Sequence, residues 1–239
     1  MGWQFNALYG IEENLTRYSI PHCVTTKFAG NMKNLESLRN FFSSFDKINT
    51  FNTSWRAHYL CAGRQVHGNN AHEFKNVTSD SFIEETDAVY TRERNLVLGI
   101  FTADCAPLFI ADKKKRFAAL IHAGWKGMAK HIIKNTVEKV CDKKNIDDFL
   151  FVFGPHIKKC CYEVNKDLAQ YFELEESIVN GERKYFLDLQ NEGKKQLLSI
   201  GVKNENIVLC EHCTLCESNR FFSYRSGNKE ERIGSFISL

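Results

Sequence analysis

From residue 96 onward the chain alternates between short, almost wholly apolar runs and polar turns. Leu96-Val97-Leu98-Gly99-Ile100-Phe101, Pro107-Leu108-Phe109-Ile110-Ala111 and Phe117-Ala118-Ala119-Leu120-Ile121 read as strands buried on both faces. A strand with one wet face would instead alternate polar and apolar residues. The charged stretch 112–116 separates the last two runs and predicts a hairpin. Phe149-Leu150-Phe151-Val152-Phe153 is a further buried strand, stopped by Gly154-Pro155. Short strands are expected over residues 207–209 and 221–224. Helical spacing appears at residues 34–44, where Leu35, Leu38, Phe41 and Phe42 share one face. It returns from Met128 through Ile132, Ile133, Thr136 and Val137 to Val140. Residues 166–172 and 191–199 predict two more helices. Hairpins mixed with strand–helix–strand passages predict an α+β fold with mixed β-sheets rather than a doubly wound parallel sheet. No repeat, low-complexity stretch or boundary interrupts the pattern, so residues 1–239 are read as a single domain.

Composition narrows the function classes. With 43% hydrophobic and 13% aromatic residues, a chain of this length can bury a large core without disulfides. A net charge of only +3 gives no electrostatic argument for nucleic acid. The first residues carry no basic segment followed by an apolar run, and nowhere do about 18 apolar residues run together. The expectation is a cytoplasmic protein with no membrane partner, a monomer or weak homodimer, whose nine cysteines stay reduced.

Three segments carry candidate chemistry. Thr102-Ala103-Asp104-Cys105-Ala106-Pro107 falls between two buried strands. His122-Ala123-Gly124-Trp125-Lys126-Gly127 ends a strand in a histidine, followed by two glycines that allow close backbone approach. Gln65-Val66-His67-Gly68 offers a second histidine before a turn. Pairing of the two strands as a hairpin would bring Cys105 and His122 to one sheet end. Two imidazoles and a thiolate suit zinc, and three protein ligands leave a fourth position open for water or substrate. The plain alternative is three core or turn residues in unrelated places.

These segments, continued by Gly154-Pro155-His156-Ile157, Cys161-Tyr162-Glu163-Val164, Leu187-Asp188-Leu189, Cys213-Thr214 and Phe221-Phe222-Ser223-Tyr224-Arg225, resemble the YfiH/YlmD family. That family, once described as laccase-domain or polyphenol oxidase proteins, includes the peptidoglycan editing factor PgeF. The match runs in order from about Arg56 to the C-terminus. The resemblance implies a four-layer α/β/β/α fold and a Zn2+ ion held by His67, Cys105 and His122. It also implies phosphorolysis of adenosine, inosine and methylthioadenosine, with adenosine deaminase activity, so that purine nucleoside and phosphate are the partners. In the PgeF branch it implies instead an amidohydrolase editing a peptidoglycan precursor. The chain departs from the pattern at Lys27, which stands for an arginine, in a shortened segment before the helix bearing Arg39, and at Glu230-Glu231-Arg232.

Phosphorolysis needs a cation for phosphate, and Arg225 leads, with Arg39 and Arg64 behind it, because guanidinium offers a planar fork of donors. A surface ion pair is the competing role for Arg225. Deamination needs a proton shuttle beside the metal, and Asp104 and Glu163 are the local carboxylates. Asp104 serves equally as a turn cap and Glu163 as a surface carboxylate. Cys105 itself reads two ways: as a zinc ligand, or as a nucleophile paired with His122.

Three other signals weigh against alternatives. Cys210-Glu211-His212-Cys213-Thr214-Leu215-Cys216 is the densest metal-like string, but no fourth cysteine follows it, which favours a structural loop over a second metal site. A multicopper oxidase would need clustered His-x-His pairs, and the eight histidines include none. The deaminase pattern of His-x-Glu followed by Pro-Cys-x-x-Cys is missing too.

Overall fold

The computed structural model describes residues 2–33, 35–45, 59–141 and 143–239. Arg56 and Asn34 lie outside them. Two large mixed sheets stack face to face. Numbered along the chain, the first sheet contains β1 (Trp3–Phe5), β2 (Tyr9–Glu12), β3 (His22–Thr25), β4 (Tyr59–Gly63), β6 (Ser81–Ile83), β8 (Leu96–Thr102) and β16 (Ile233–Ile237). Their order is β1-β2-β3-β16-β8-β4-β6. The second sheet contains β5 (Ala71–Phe74), β7 (Ala88–Thr91), β9 (Ala106–Asp112), β10 (Ala118–Ala123), β11 (Phe149–Phe153) and β15 (Ile207–Val208), in the order β15-β11-β9-β10-β7-β5. A small exposed sheet is formed by β12 (Glu163–Val164), β13 (Glu175–Val179) and β14 (Glu182–Phe186).

Strands β8 and β16 pack on β7 and β10, so the inner face of each sheet is dry. Helix α2 (Leu35–Phe45) covers the outer face of the first sheet through Leu38 and Phe41, which join Tyr9, Leu60 and Phe236. On the second sheet α3 (Trp125–Ala129) and α4 (Ile132–Val140) lie against β10, with α5 (Leu189–Ser199) packed on both. A short α1 (Glu13–Arg17) follows β2. This is a four-layer α/β/β/α architecture with mixed sheets. Strand β9 is buried at all seven positions because it has a sheet on one side and helices on the other. That double burial is why its sequence lacks alternation.

The apolar runs at residues 96–101, 107–111, 117–121 and 149–153 form β8 to β11, and β9 and β10 pair as the expected hairpin. Elsewhere the structure corrects the sequence. The helix expected from Met128 to Val140 is two helices, broken where His131 adopts a left-handed conformation (φ 56°). The Lys130 N–H turns back to Gly127 O and the His131 N–H to Met128 O at the break. Residues 166–170 make a single 3-10 segment rather than an α-helix. Residues 221–224 are no strand. Phe221 and Ser223 are buried, but the backbone bonds locally, Phe221 N–H to Glu217 O and Ser226 N–H to Ser223 O.

Two buried imidazoles make the fold acid-sensitive. His22 Nε2 accepts the Glu12 N–H at 2.7 Å while Nδ1 donates to Ile20 O at 2.8 Å, a pairing that requires the neutral ring. Burial lowers His22 and His156 each to about 4. The unfolded chain takes up these protons below about 6.5 and the folded chain only near 4, so stability falls as pH drops through that window. Urea unfolding at pH 7 and pH 5 is expected to show a loss of about 2 kcal/mol from each ring. A His156→Phe variant should remove about half of that pH dependence. An unchanged slope would contradict the assignment.

Candidate active site

At one end of the stacked sheets, three turns meet. His122 is the penultimate residue of β10, opposite Pro107 across the hairpin, which places it beside Cys105 at the entry to β9. His67 lies in the turn after β4, in a left-handed conformation (φ 58°). The Cys105 sulfur and one nitrogen of each imidazole lie within 4.8 Å of one another. The two rings meet edge-to-face, 4.8 Å between centroids and 71° apart. His122 is buried while His67 is exposed, so the cluster has a closed back and an open front.

What holds the two histidines in place is Asp87, a fully buried residue just before β7 that the sequence did not single out. Its Oδ1 accepts His122 Nδ1 at 2.7 Å and the His67 N–H at 2.9 Å. Its Oδ2 accepts the Gly68 N–H at 2.7 Å and the Val66 N–H at 3.2 Å. Asp87 O also accepts the His122 N–H at 2.7 Å. One carboxylate therefore fixes both histidine turns and orients the His122 ring, leaving Nε2 as the free nitrogen. A lone Asp ahead of an apolar strand carries no sequence signal for this role. Gln65 anchors the same turn from the other side, its amide exchanging two 2.8 Å hydrogen bonds with the backbone of Phe101.

Burial pushes the Cys105 thiol up, but the charge and hydrogen bond of His122, with His67 adding to them, bring it down to about 6. Burial works against charge on His122 as well, yet the Cys105 thiolate and the Asp87 carboxylate raise it to about 9. Asp87 is held below its ordinary range: burial opposes this, but His122 and the Gly68 and Val66 N–H groups outweigh it. Without a metal the cluster is a thiolate–imidazolium pair at neutral pH, so the sulfur is already in its ligating form, whereas His122 must give up a proton to bind an ion.

The glycines of the His-Ala-Gly-Trp-Lys-Gly segment have steric causes. A Cβ on Gly124 would lie 2.8 Å from Cys105 Sγ and 3.0 Å from His67 Cδ2, and one on Gly127 would lie 2.8 Å from Gly68 O. Gly124→Ala is expected to displace the cluster by a fraction of an ångström and lower kcat/KM by about 10²-fold, with the melting temperature nearly unchanged. Steady-state kinetics beside a thermal melt would check this. Wild-type activity in the alanine variant would show that the close approach is unimportant.

The open front faces a cavity of about 820 Å³, lined among others by Phe101, Trp125, Lys126, Tyr162 and Arg225. That is the size of a small-molecule site, roughly 300–1,000 Å³. Arg225 sits in its wall, its guanidinium stacked 5.1 Å over the Tyr162 ring and donating to Glu163 O at 2.8 Å. Arg64 lines the cavity but pairs with Glu84 at 2.9 Å. Two expected residues are elsewhere. Arg39 is exposed on α2 and outside the lining, because Leu38 and Phe41 take the core-facing side of that helix. Glu163 contributes only its carbonyl, since its carboxylate pairs with Lys184 at 2.9 Å on the exposed sheet. Asp104 lines the cavity, but both its oxygens are engaged, one by Thr214 Oγ1 at 2.6 Å and one by the Arg225 N–H at 2.9 Å. Its left-handed backbone (φ 86°) is held by those bonds, which makes it a residue that positions the Arg225 turn. Lys126, on α3, adds a further cation to the lining, its ammonium 5.6 Å over the Trp125 ring.

An α/β/β/α fold with a His–Cys–His cluster at the head of a small-molecule cavity defines the class. Residues 46–239 match the family described as multi-copper polyphenol oxidoreductase laccase. The purine nucleoside phosphorylase of Aquifex aeolicus is 37% identical over 159 residues, covering 66% of this chain and 73% of that protein. The adenosine deaminase RL5 of an unknown prokaryotic organism is 33% identical over 61% of this chain and 59% of its own length. The crystal structure of Bacillus licheniformis hypothetical protein YfiH superposes with a TM-score of 0.82 at 25% identity, covering 99% of this chain and 98% of that one. The chain belongs to this laccase-domain family, the YfiH/YlmD proteins. The several coppers of the family description have no counterpart in the donor set. Among the described residues, the cluster at this cavity gathers two imidazoles and one thiolate, whereas several coppers need many imidazoles. Among the described residues no helix is long and apolar enough to cross a membrane.

Proposed function

We propose that the protein is a zinc-dependent purine nucleoside phosphorylase acting on adenosine, inosine and methylthioadenosine, with adenosine deaminase activity. The observation that carries this reading is the convergence of His67, Cys105 and His122 on the mouth of an 820 Å³ cavity. The relatives named purine nucleoside phosphorylase and adenosine deaminase support it. Two imidazoles and a low-pKa thiolate fit zinc, and the Gly124 cradle would admit no side chain into the space beside them. When bound, the ion would supply a Lewis acid with one position open to water or substrate.

The chain's own residues account for binding and charge. Trp125, Phe101 and Tyr162 offer faces for a purine, and Arg225 and Lys126 offer positive charge for phosphate. In phosphorolysis a phosphate oxygen bonds to the anomeric carbon as the bond to the purine nitrogen breaks, and the departing purine takes a proton. Burial, then the Cys105 charge, raise the Tyr162 phenol, so it stays neutral and able to donate a hydrogen bond to the leaving base. Purified protein given adenosine with phosphate should release adenine and ribose 1-phosphate, and without phosphate should yield inosine. Adenosine unchanged under both conditions would overturn the reading.

The Cys105–His122 ion pair favours one other reading, a cysteine amidohydrolase acting on a peptidoglycan precursor. Hydrolysis of a serine-containing muropeptide that survives complete metal removal would support it against the first.

A further inference from the structure

The string 210–216 lacks a fourth cysteine in sequence, but the fold supplies two. Cys160 and Cys161, in the turn that follows β11, lie beside Cys213 and Cys216. All four sulfurs are within 4.8 Å of one another. Cys160 to Cys161 is 3.7 Å, Cys160 to Cys216 is 3.7 Å and Cys161 to Cys216 is 3.3 Å. Four thiolates around one tetrahedral zinc, with Zn–S near 2.3 Å, lie about 3.8 Å apart. The geometry points to a second metal site in which Cys160, Cys161, Cys213 and Cys216 hold a single structural zinc ion. This goes beyond the proposed activity and does not depend on it.

The surrounding backbone is arranged as such a site requires. Cys213 and Cys216 form one tight turn, closed by the Glu217 N–H on Cys213 O. Cys160 and Cys161 form another, closed by the Cys161 and Tyr162 N–H groups on Lys158 O. The Lys158 N–H points at Cys213 Sγ at 3.4 Å, the kind of backbone donor that stabilises a metal-bound thiolate. His156 pairs with Cys213 across the two loops, and the Thr214 N–H bonds to His156 O at 3.1 Å. All nine cysteines are unbridged, and the shortest of these sulfur contacts is well beyond a disulfide bond of about 2.05 Å. A span below 4.8 Å leaves space for one ion between the sulfurs, not for a cluster of several irons and sulfides.

The site lies behind the catalytic cavity. Tyr162 follows Cys161 and lines the cavity, while Thr214 follows Cys213 and bonds to Asp104, which holds the Arg225 turn. An ion here would tie the 160–161 turn to the 213–216 turn, adding to the backbone bridge between His156 and Cys213.

Metal analysis of untagged, anaerobically purified full-length protein should give one zinc more than the Cys213→Ser variant. The Cys105→Ala variant, deprived of the other cluster, should still carry one. Cobalt exchanged into Cys105→Ala should show the intense sulfur-to-metal charge-transfer band of tetrathiolate coordination, absent when Cys213→Ser is added. Chelation should lower the melting temperature of Cys105→Ala by roughly 10 °C. Should Cys213→Ser not fold, the Cys105→Ala count and cobalt spectrum decide alone. Metal-free Cys105→Ala with no such band, a Cys161–Cys216 disulfide in the anaerobic protein, or iron with inorganic sulfide would each overturn the proposal.

Discussion

Cys105→Ala is expected to remove metal from the cavity cluster and lower kcat/KM on adenosine by at least about 10³-fold, some 4 kcal/mol of transition-state stabilisation. Two imidazoles alone hold zinc poorly, because the thiolate is the only anionic donor in the set. The variant should remain folded. Cys105 sits at the entry to β9 with its side chain toward the cavity, not within the apolar core. Metal analysis, a thermal melt and steady-state kinetics on one preparation would check all three statements. The ligand and nucleophile roles separate in the wild type. If Cys105 is a ligand, chelation abolishes activity and added zinc restores it. If it is a nucleophile, metal-free protein stays active, and its thiolate, with a pKa of about 6, is alkylated rapidly at neutral pH.

Asp87→Asn is expected to produce the second largest effect, on stability and activity together. Oδ1 receives His122 Nδ1 and the His67 N–H, and Oδ2 receives the Gly68 and Val66 N–H groups. An amide must replace one oxygen with a donor, so whichever way it turns, two hydrogen-bond donors lose their acceptor. At about 1–3 kcal/mol for each unsatisfied donor, the loss should be about 2–6 kcal/mol. In a chain of this size that corresponds to a melting temperature lower by about 5–20 °C. Metal affinity should fall about 10–100-fold, because His122 loses the group that orients it. The pH profile should move as well. Without the Asp87 charge His122 protonates at lower pH, so the metal-free thiolate–imidazolium pair should break up at lower pH than in the wild type. Nuclear magnetic resonance titration of His122 in both proteins would measure that. An unshifted titration with normal metal affinity would reduce Asp87 to a turn residue.

The parts of the molecule legible in sequence share a physical feature: neighbours along the chain decide them. The runs that became β8 to β11 are apolar at nearly every position because each is covered on both faces. The hairpin of β9 and β10 follows from their proximity and the charged turn between them. His67, Cys105 and His122 stood out because each closes a recognisable short segment, and the sheet ends bring them together. Reading failed where distant chain decides. The 221–224 segment has the β-favouring residues of a strand, yet Asp104, more than a hundred residues earlier, binds the Arg225 N–H and holds the chain in a turn. Arg39 and Glu163 were plausible by charge, but only packing shows one turned to solvent and the other spent on Lys184.

By itself, then, the order of residues determined the mixed-sheet architecture and the three candidate ligands, since burial pattern and turn chemistry are written locally. Only the folded chain decided that Asp87 aligns both imidazoles, that Asp104 serves a loop, and that Cys160 and Cys161 complete a four-sulfur cluster with Cys213 and Cys216. Those are contacts between segments tens of residues apart, and a hydrogen-bond or ligand partner of that kind leaves no periodicity in the sequence to find.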